Sequence, residues 1–407
     1  MGCNCRSPCV KKKSNKPPSN YNHLGSGDSV KSIQKLFHRL SGIPLDNIGV
    51  HELFWTRAVH PDPCNPYSQV LVPNENEILT IFCTKQNCRR DPLRVIGIWK
   101  RDILNPVFLE DCFQKLFHSI VPTVEFVTRG KTDEAKLGCQ CNPVTKKKIE
   151  EAKRNNIKRK NITNKFTGTK TFGCTKHKFA NVCKFSSIPK TENCRKKFNN
   201  KSLPHGTDSN HPVLADLLPR LADIAGNCLK ELAPDSFYNM FKHAQNAKDC
   251  QLGPETQIFG GVTLVSDYVA HPHKDASDFP LGVIALFSFR NFSIPQSQLH
   301  ILVNYSLKLG GHPGVGFDLG NNSLFFEAAM HETHSSSSFE RHPGQTPGRV
   351  GLVFNRHNVL QHPDHGSQVP KPPKKTKTVE KKRAKSVGAK TETCVAIPIS
   401  KTKASTE

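Results

Sequence analysis

GVTLVSDYVAHPHKD, residues 261–275, is the stretch on which the reading of this chain turns. Gly261 to Ala270 is rich in residues that suit a pleated, half-buried surface, and it runs straight into His271-Pro-His273-Lys-Asp275. A His-x-Asp at a strand end supplies two of the three ligands of a facial metal site, which leaves three positions open for other partners. The second histidine must come from a later strand, and His331 and His334 are the candidates. Fifteen residues beyond His334, Arg349 opens the apolar strand Val350–Phe354. A cosubstrate with a distal carboxylate needs a fixed guanidinium at such a place, because arginine offers it a planar, bidentate match. On spacing alone, two readings stay open: this assembly, or surface histidines beside an ordinary strand-end charge.

Outward from this stretch the texture is one of short strands. Leu281–Phe289, Leu299–Tyr305, Ser323–Ala328 and Arg349–Asn355 follow at regular intervals between turn clusters, the pattern of a sandwich or barrel, here a jelly roll. Before it, Pro212 to Leu232 and Asp235 to Ala247 read as helices. Pro212 stands near a helix start, and Leu214, Leu217, Leu218, Leu221 and Ile224 repeat at helical spacing. Further upstream, Val30 to Leu40 has a helical period, Gln69–Val72, Glu77–Phe82 and Arg94–Trp99 suit strands, and Leu109–Ile120 suits a helix.

The 407 residues carry 58 Lys and Arg against 34 Asp and Glu, a formal charge of +24. With 36% hydrophobic residues the chain can bury a core, which excludes wholesale disorder, and its length allows two or three domains or one elaborated one. Each Lys or Arg set near a phosphate releases counterions, so the charge points to a polyanionic partner, nucleic acid first and acidic lipid second. No apolar stretch approaches the roughly 20 residues a membrane span needs, and no membrane association is expected. The opening MGCNCRS has Arg6 where an acylation signal wants Ser or Thr. We therefore expect an intracellular protein, in which 15 Cys and 19 His point to metal ligation, zinc first, over disulfides.

Charge also marks the boundaries. Residues 146–170 hold ten Lys or Arg and two Glu with almost no large apolar side chain, and read as a mobile basic loop. Residues 367–407 hold eleven Lys or Arg and three Glu, a disordered basic tail with the composition of a nuclear-localisation signal. The expected organisation is a basic, Cys-containing arm at 1–20, a Cys-rich zinc-binding domain at 21–210 that includes the basic loop, helices plus the jelly roll at 211–366, and the tail at 367–407. A nuclear location follows from the tail.

Several passages then carry a resemblance: Tyr21-Asn-His-Leu-Gly-Ser-Gly27, Gly138-Cys-Gln-Cys141, Phe172-Gly-Cys174, Cys183-Lys-Phe185, Leu232-Ala-Pro-Asp235, Gly261-Val-Thr263, His271-Pro-His-Lys-Asp275, Gln298-Leu-His300, Arg349-Val-Gly-Leu-Val-Phe354 and His357-Asn-Val-Leu-Gln-His-Pro-Asp-His365-Gly366. In order and spacing, from Cys3 to Gly366, this resembles the catalytic core of the TET (ten-eleven translocation) branch of the TET/J-binding-protein family of methylcytosine dioxygenases. The resemblance implies an α+β fold, with a double-stranded β-helix (jelly-roll) dioxygenase core and an N-terminal zinc-stapled Cys-rich domain wrapped on it. It implies Fe(II) held by His273, Asp275 and His334, and it favours His334 over His331 because His334 keeps the family's interval to the arginine. It also implies 2-oxoglutarate and O2 as cosubstrates, with Arg349, His300 and Arg129 reaching the 2-oxoglutarate. The family's hydroxyl two residues after the arginine is replaced by Gly351, so one hydrogen bond is lost, about 0.5–1.5 kcal/mol, and weaker cosubstrate binding is expected.

By the same resemblance, Cys64, Cys139, Cys141 and His271 form one structural Zn(II) site, and Cys174, Cys183, Cys250 and His365 a second, each with the Cys₃His set of a closed tetrahedral site. A third would join Cys3, Cys5 and Cys88; the family's histidine is absent there, which leaves Cys83 or Cys9 as fourth ligand. Cys112, Cys194, Cys228 and Cys394 read as small buried hydrophobes.

The substrate implied is double-stranded DNA with a methylated cytosine, flipped from the duplex into a pocket and oxidised to 5-hydroxymethylcytosine or further by a monomeric enzyme. His357 and Thr263 match residues of that pocket. Asp278 stands where an asparagine contacts the base, and a carboxylate cannot donate the amide's hydrogen bond. Asn355 stands where a tyrosine stacks, a loss of about 1–3 kcal/mol. Phe179 occupies the place of an apolar wedge against the opened duplex. Two other readings stay open, a modified-base reader without turnover and an oxygenase of the same fold acting on thymine or RNA.

Overall fold

The computed structural model describes residues 30–56, 67–85, 93–128, 162–165, 168–177, 180–183, 212–245, 251–291, 298–337 and 346–358. Four α-helices are described: α1 (Val30–Ser41), α2 (Pro106–Phe113), α3 (Pro212–Leu232) and α4 (Pro234–Gln245). Each is built as its sequence dictates. On α1, Ile33 and Phe37 lie one turn apart and are buried, and the helix stops at Gly42, whose positive φ lets its N–H bond back to His38 O at 2.9 Å. Helix α2 begins with a proline, and the Asn105 side chain accepts the Phe108 N–H at 2.9 Å. It continues as a π-helical stretch over Gln114–Ile120, so the helix expected at Leu109–Ile120 changes its winding midway. Among the described residues no helix is long and apolar enough to cross a membrane.

Sixteen strands are described: β1 (Ile48–Trp55), β2 (Gln69–Leu71), β3 (Leu79–Lys85), β4 (Arg94–Arg101), β5 (Glu125–Thr128), β6 (Ile162–Lys165), β7 (Gly168–His177), β8 (Ala180–Cys183), β9 (Gly261–Ser266), β10 (Ile284–Arg290), β11 (His300–Leu302), β12 (Tyr305–Ser306), β13 (Val315–Phe317), β14 (Ser323–Glu327), β15 (His334–Ser336) and β16 (Arg349–Asn355). Twelve form one sheet in the order β12-β1-β3-β4-β14-β10-β16-β9-β7-β5-β6, with β8 on β7; the other four form a sheet in the order β15-β11-β13-β2. The expected boundary at residue 210 thus falls inside a single hydrogen-bonded sheet, where β4 pairs with β14 and β7 with β9. The end of the segment expected to be a basic loop is also part of it, since β6 and the start of β7 pair with β5.

The large sheet has two apolar faces. Leu324 and Phe326 of β14, Ala285 and Phe287 of β10, and Leu352 and Phe354 of β16 join the helices in one core. The alternate residues Phe325 and Leu286 join Leu302, Val315 and Phe317 of the small sheet in another, as a period of two requires. Helices, large sheet and small sheet are therefore three layers of a mixed α+β fold, and the two facing sheets agree with a jelly roll. On β4 the alternation shifts: Phe82 pairs with Gly97 and Cys83 with Val95. Ile96 is left as an extra residue, a β-bulge that turns Ile96 and Trp99 both toward the small sheet.

Candidate metal and cosubstrate site

The segment after β9 comes to lie beside β15. His273 N–H bonds to His334 O at 2.9 Å and His334 N–H to His273 O at 3.0 Å, a hydrogen-bonded cross-strand pair that puts both imidazoles on one side, ring centroids 4.3 Å apart. Asp275, two residues on, returns to the same side and is fixed by its N–H to Ala329 O at 2.9 Å. Asp275 Oδ1 lies 3.6 Å from His273 Nε2 and Oδ2 lies 3.8 Å from His334 Nε2. One donor atom from each of the three falls within 4.8 Å of the others.

Two imidazoles and one carboxylate are the donor set of a facial site for Fe(II), and the residues fit that ion. The Nδ1 atoms of both histidines are engaged elsewhere, that of His273 with His271 O and that of His334 near Glu332 O and Glu327. The Nε2 atoms are left toward Asp275, as metal-binding imidazoles are arranged. Exposure falls from 41% for the His273 side chain to 8% for His334, so the cluster is more open to solvent at His273 than at His334. His331, the other candidate, is turned away, its Nε2 2.9 Å from Pro280 O.

Behind His334 the environment is dry. His300 stacks on it at 5.8 Å between centroids, and burial, with the Arg349 charge second, pushes the His300 pKa down to about 3. Burial lowers His334 as well. Glu327, whose Oε2 lies 3.0 Å from His300 Nε2, is raised to about 7 by burial, with His334 pulling it down and Asp275 pushing it up. Glu332 also rises to about 7 through burial and accepts the Tyr305 hydroxyl at 2.6 Å. Arg349 is held by its backbone N–H to Asp267 Oδ1 at 2.8 Å and by its Nη1 to Gln298 O at 3.2 Å, and burial brings its pKa down to about 10. Its half-buried guanidinium suits a carboxylate partner.

On β9 and β16, Val262, Leu264, Leu352 and Phe354 point to the helices, so Thr263, Arg349, Gly351 and Asn355 share the opposite side of the sheet. Thr263 Oγ1 lies 3.2 Å from Thr171 Oγ1. Asp278 and His357 form a β-bridge, with His357 Nδ1 3.3 Å from Asp278 Oδ1, and Asn355 Nδ2 donates to the same oxygen at 3.4 Å. Burial raises Asp278 to about 6, and its bond to His357 opposes this. The Asp278 N–H bonds to Asp275 O at 2.9 Å, so this trio adjoins the His-Asp-His cluster.

Arg129, Phe179, Cys3, Cys5, Cys9, Cys64, Cys88, Cys139, Cys141, Cys250 and His365 lie outside the described residues. His271 is buried. Cys174 and Cys183 are directly opposite in the β7–β8 register. Cys83 is fully buried in the apolar core with Ile81 and Val95, and burial pushes its thiol pKa up. Cys112 and Cys228 are buried free thiols, as expected. Glu327 was missed, although its signal was legible: an acid ending the strand Ser-Leu-Phe-Phe-Glu, where every other large side chain is apolar.

Residues 178–358 match the family model Tet_JBP, described as the oxygenase domain of the 2OGFeDO superfamily. Methylcytosine dioxygenase TET2 of Mus musculus is 24% identical over 302 residues, 70% of this chain and 14% of that protein. Methylcytosine dioxygenase TET of Drosophila melanogaster is 28% identical over 144 residues, 34% of this chain and 5% of that protein. The chain thus spans a small part of the length of these curated relatives. The solved structure described as NgTET1 in complex with 5mC DNA aligns with a TM-score of 0.44 and 11% identity, covering 82% of this chain and 93% of that one. The His-Asp-His cluster, Arg349 and the Asp278–His357 bridge all lie inside residues 178–358, the segment that is similar to the Tet_JBP oxygenase-domain model.

Proposed function

We propose that the chain oxidises the 5-methyl group of cytosine in DNA, using Fe(II), 2-oxoglutarate and O2. The observation that carries this reading is the convergence of His273, Asp275 and His334 on one point, next to the buried His300 and the half-buried Arg349. His273, Asp275 and His334 would hold the iron, which when bound supplies the activation of oxygen needed to break a methyl C–H bond. Arg349 orients the distal carboxylate of 2-oxoglutarate, and the apolar layer of Phe325 and Phe317 behind His300 keeps water from that end. Relatives named methylcytosine dioxygenases support the substrate.

For the base, the geometry gives Asp278 a defined task. An ionised Asp278 offers acceptors, and an acidic side chain accepts from the cytosine N4 amine, while His357 beside it offers a ring nitrogen. The basic charge of +24 supplies affinity for the phosphates. Zinc at Cys64, Cys139, Cys141 and His271 and at Cys174, Cys183, Cys250 and His365 would staple the chain together, and a nuclear location would suit the substrate. Incubation with Fe(II), ascorbate, 2-oxoglutarate and methylated duplex, followed by mass spectrometry of the nucleosides, tests this. Appearance of 5-hydroxymethylcytosine with matching succinate is expected. Intact methylcytosine in a metal-loaded, DNA-bound sample would favour a reader of modified bases, the reading that Asn355 in place of an aromatic platform supports.

A further inference from the structure

Glu327 ends β14 with a neighbour on either side, Ile284 of β10 and Gly97 of β4, and it is fully buried. Alternation along β14 puts it on the same side as Phe325, toward the small sheet. A carboxyl group at such a place must be held by specific partners. Its Oε2 lies 3.0 Å from His300 Nε2. Its Oε1 lies 3.0 Å from His334 Nδ1, too oblique for a full hydrogen bond, and has no other partner among the described residues. His300 and His334 come from adjacent strands, β11 and β15, and their rings stack. One carboxyl group therefore spans two imidazoles, one assigned to the metal and the other to the cosubstrate.

We propose that Glu327 is a positioning residue that aligns the metal ligand His334 with the cosubstrate contact His300, so that iron and 2-oxoglutarate sites are set by one buried group. This rests on the iron and 2-oxoglutarate reading given above. The reason is the inventory of a neutral imidazole, one N–H and one lone pair. With Nδ1–H of His334 turned to Glu327 Oε1 and the nearby Glu332 carbonyl, the lone pair of Nε2 is committed to the metal. The other carboxyl oxygen fixes the His300 ring plane against that of His334. Partners of this kind set ligand orientation, and their removal lowers metal affinity by about 10- to 100-fold.

The test uses Glu327→Leu and Glu327→Gln in the full chain. Leucine fills a similar volume but leaves His300 Nε2 without its buried partner, so the melting temperature is expected to fall, and both affinities are read on protein shown to be folded at the temperature of measurement. Affinity for Co(II), read by its absorption bands, and for 2-oxoglutarate, read by the charge-transfer band with Fe(II) under anaerobic conditions, should both fall by about tenfold or more in Glu327→Leu. Glutamine keeps an acceptor for His334 and should recover part of the metal affinity. If both affinities in Glu327→Leu stay within about twofold of the unsubstituted chain, the inference is overturned. Should that variant fail to fold, nitrogen-15 NMR of the unsubstituted chain decides: His334 is expected as the Nδ1–H tautomer, and an Nε2–H tautomer overturns the proposal. An unsubstituted chain that binds neither Co(II) nor 2-oxoglutarate would instead defeat the functional reading, with the tautomer of His334 still judging Glu327.

Discussion

His273 and His334 exchange both of their backbone hydrogen bonds, at 2.9 and 3.0 Å, so two histidines far apart in sequence form a single rung of β-structure. Their rings meet because the backbone pairing leaves them no other place, and Asp275 joins them by alternation. The Asp275 side chain is 31% exposed, which means that truncating it removes a candidate ligand without opening the core. Asp275→Ala should therefore abolish Fe(II) uptake and succinate formation while leaving the melting temperature and the salt-dependent binding of methylated duplex nearly unchanged. Succinate production at the unsubstituted rate would show that the metal ligands lie elsewhere.

A second expectation concerns the departure at Gly351, which lies opposite Ser288 in the β10–β16 register. A Cβ built there meets Leu286 Cδ1 at 3.2 Å, with Phe287 O at 3.6 Å and Val265 Cβ at 3.8 Å. The tight neighbour is the tip of a flexible side chain, which can yield. Gly351→Ser, on the same side of the strand as Arg349, should supply a hydroxyl to the cosubstrate carboxylate. At about 0.5–1.5 kcal/mol for one hydrogen bond, 2-oxoglutarate binding should tighten by roughly two- to tenfold, read as a lower KM for 2-oxoglutarate with kcat little changed. An unchanged or higher KM would mean that the space beside Arg349 is not the cosubstrate's.

How much of this was legible follows from what each residue does locally. Strands with continuous apolar runs, such as β10 and β16, announce themselves because both of their faces are buried. Strand β1 carries His51 and Glu52 at its centre, and β15 is His-Ser-Ser; their stability comes from neighbours in the sheet, which no local pattern records. The strands β6 and β7 were hidden by lysines, whose charge reads as loop although pairing with β5 and β9 decides otherwise. The His-x-Asp motif was visible as chemistry, but the choice between His331 and His334 needed the rung with His273 or a resemblance to a family. Glu327 shows the converse, a residue whose type was conspicuous and whose role depends on two rings brought to it by other strands.

The three described free thiols give a third prediction. Burial pushes Cys112 and Cys228 up to about 12 and raises Cys83 too, so near neutral pH almost none of each is the reactive thiolate. Peptide mapping after iodoacetamide treatment should find all three unmodified in the native protein and modified once urea unfolds it. Fast native labelling of Cys83 would mean that its thiol leaves the core.

Gly226, inside α3, poses two opposed effects whose sizes decide the outcome. Alanine is favoured over glycine in a helix interior by about 1 kcal/mol. Here, however, an added Cβ would fall 2.3 Å from Thr256 Oγ1 and 2.5 Å from its Cβ, and Thr256 is not free to move. Its side-chain hydroxyl donates to Asp223 Oδ1 at 3.0 Å and its backbone N–H to the same oxygen at 2.8 Å. Overpacking of this kind typically destabilises by about 1–3 kcal/mol, and separating α3 from the 253–256 turn would also strain the bonds to Asp223. Gly226→Ala should therefore lower the melting temperature, the reverse of the helix-propensity rule, whereas Gly226→Ala combined with Thr256→Ser should recover part of the loss because one of the crowding carbons is gone. A stabilised Gly226→Ala protein in a thermal melt would show that α3 does not pack against Thr256 as closely as described.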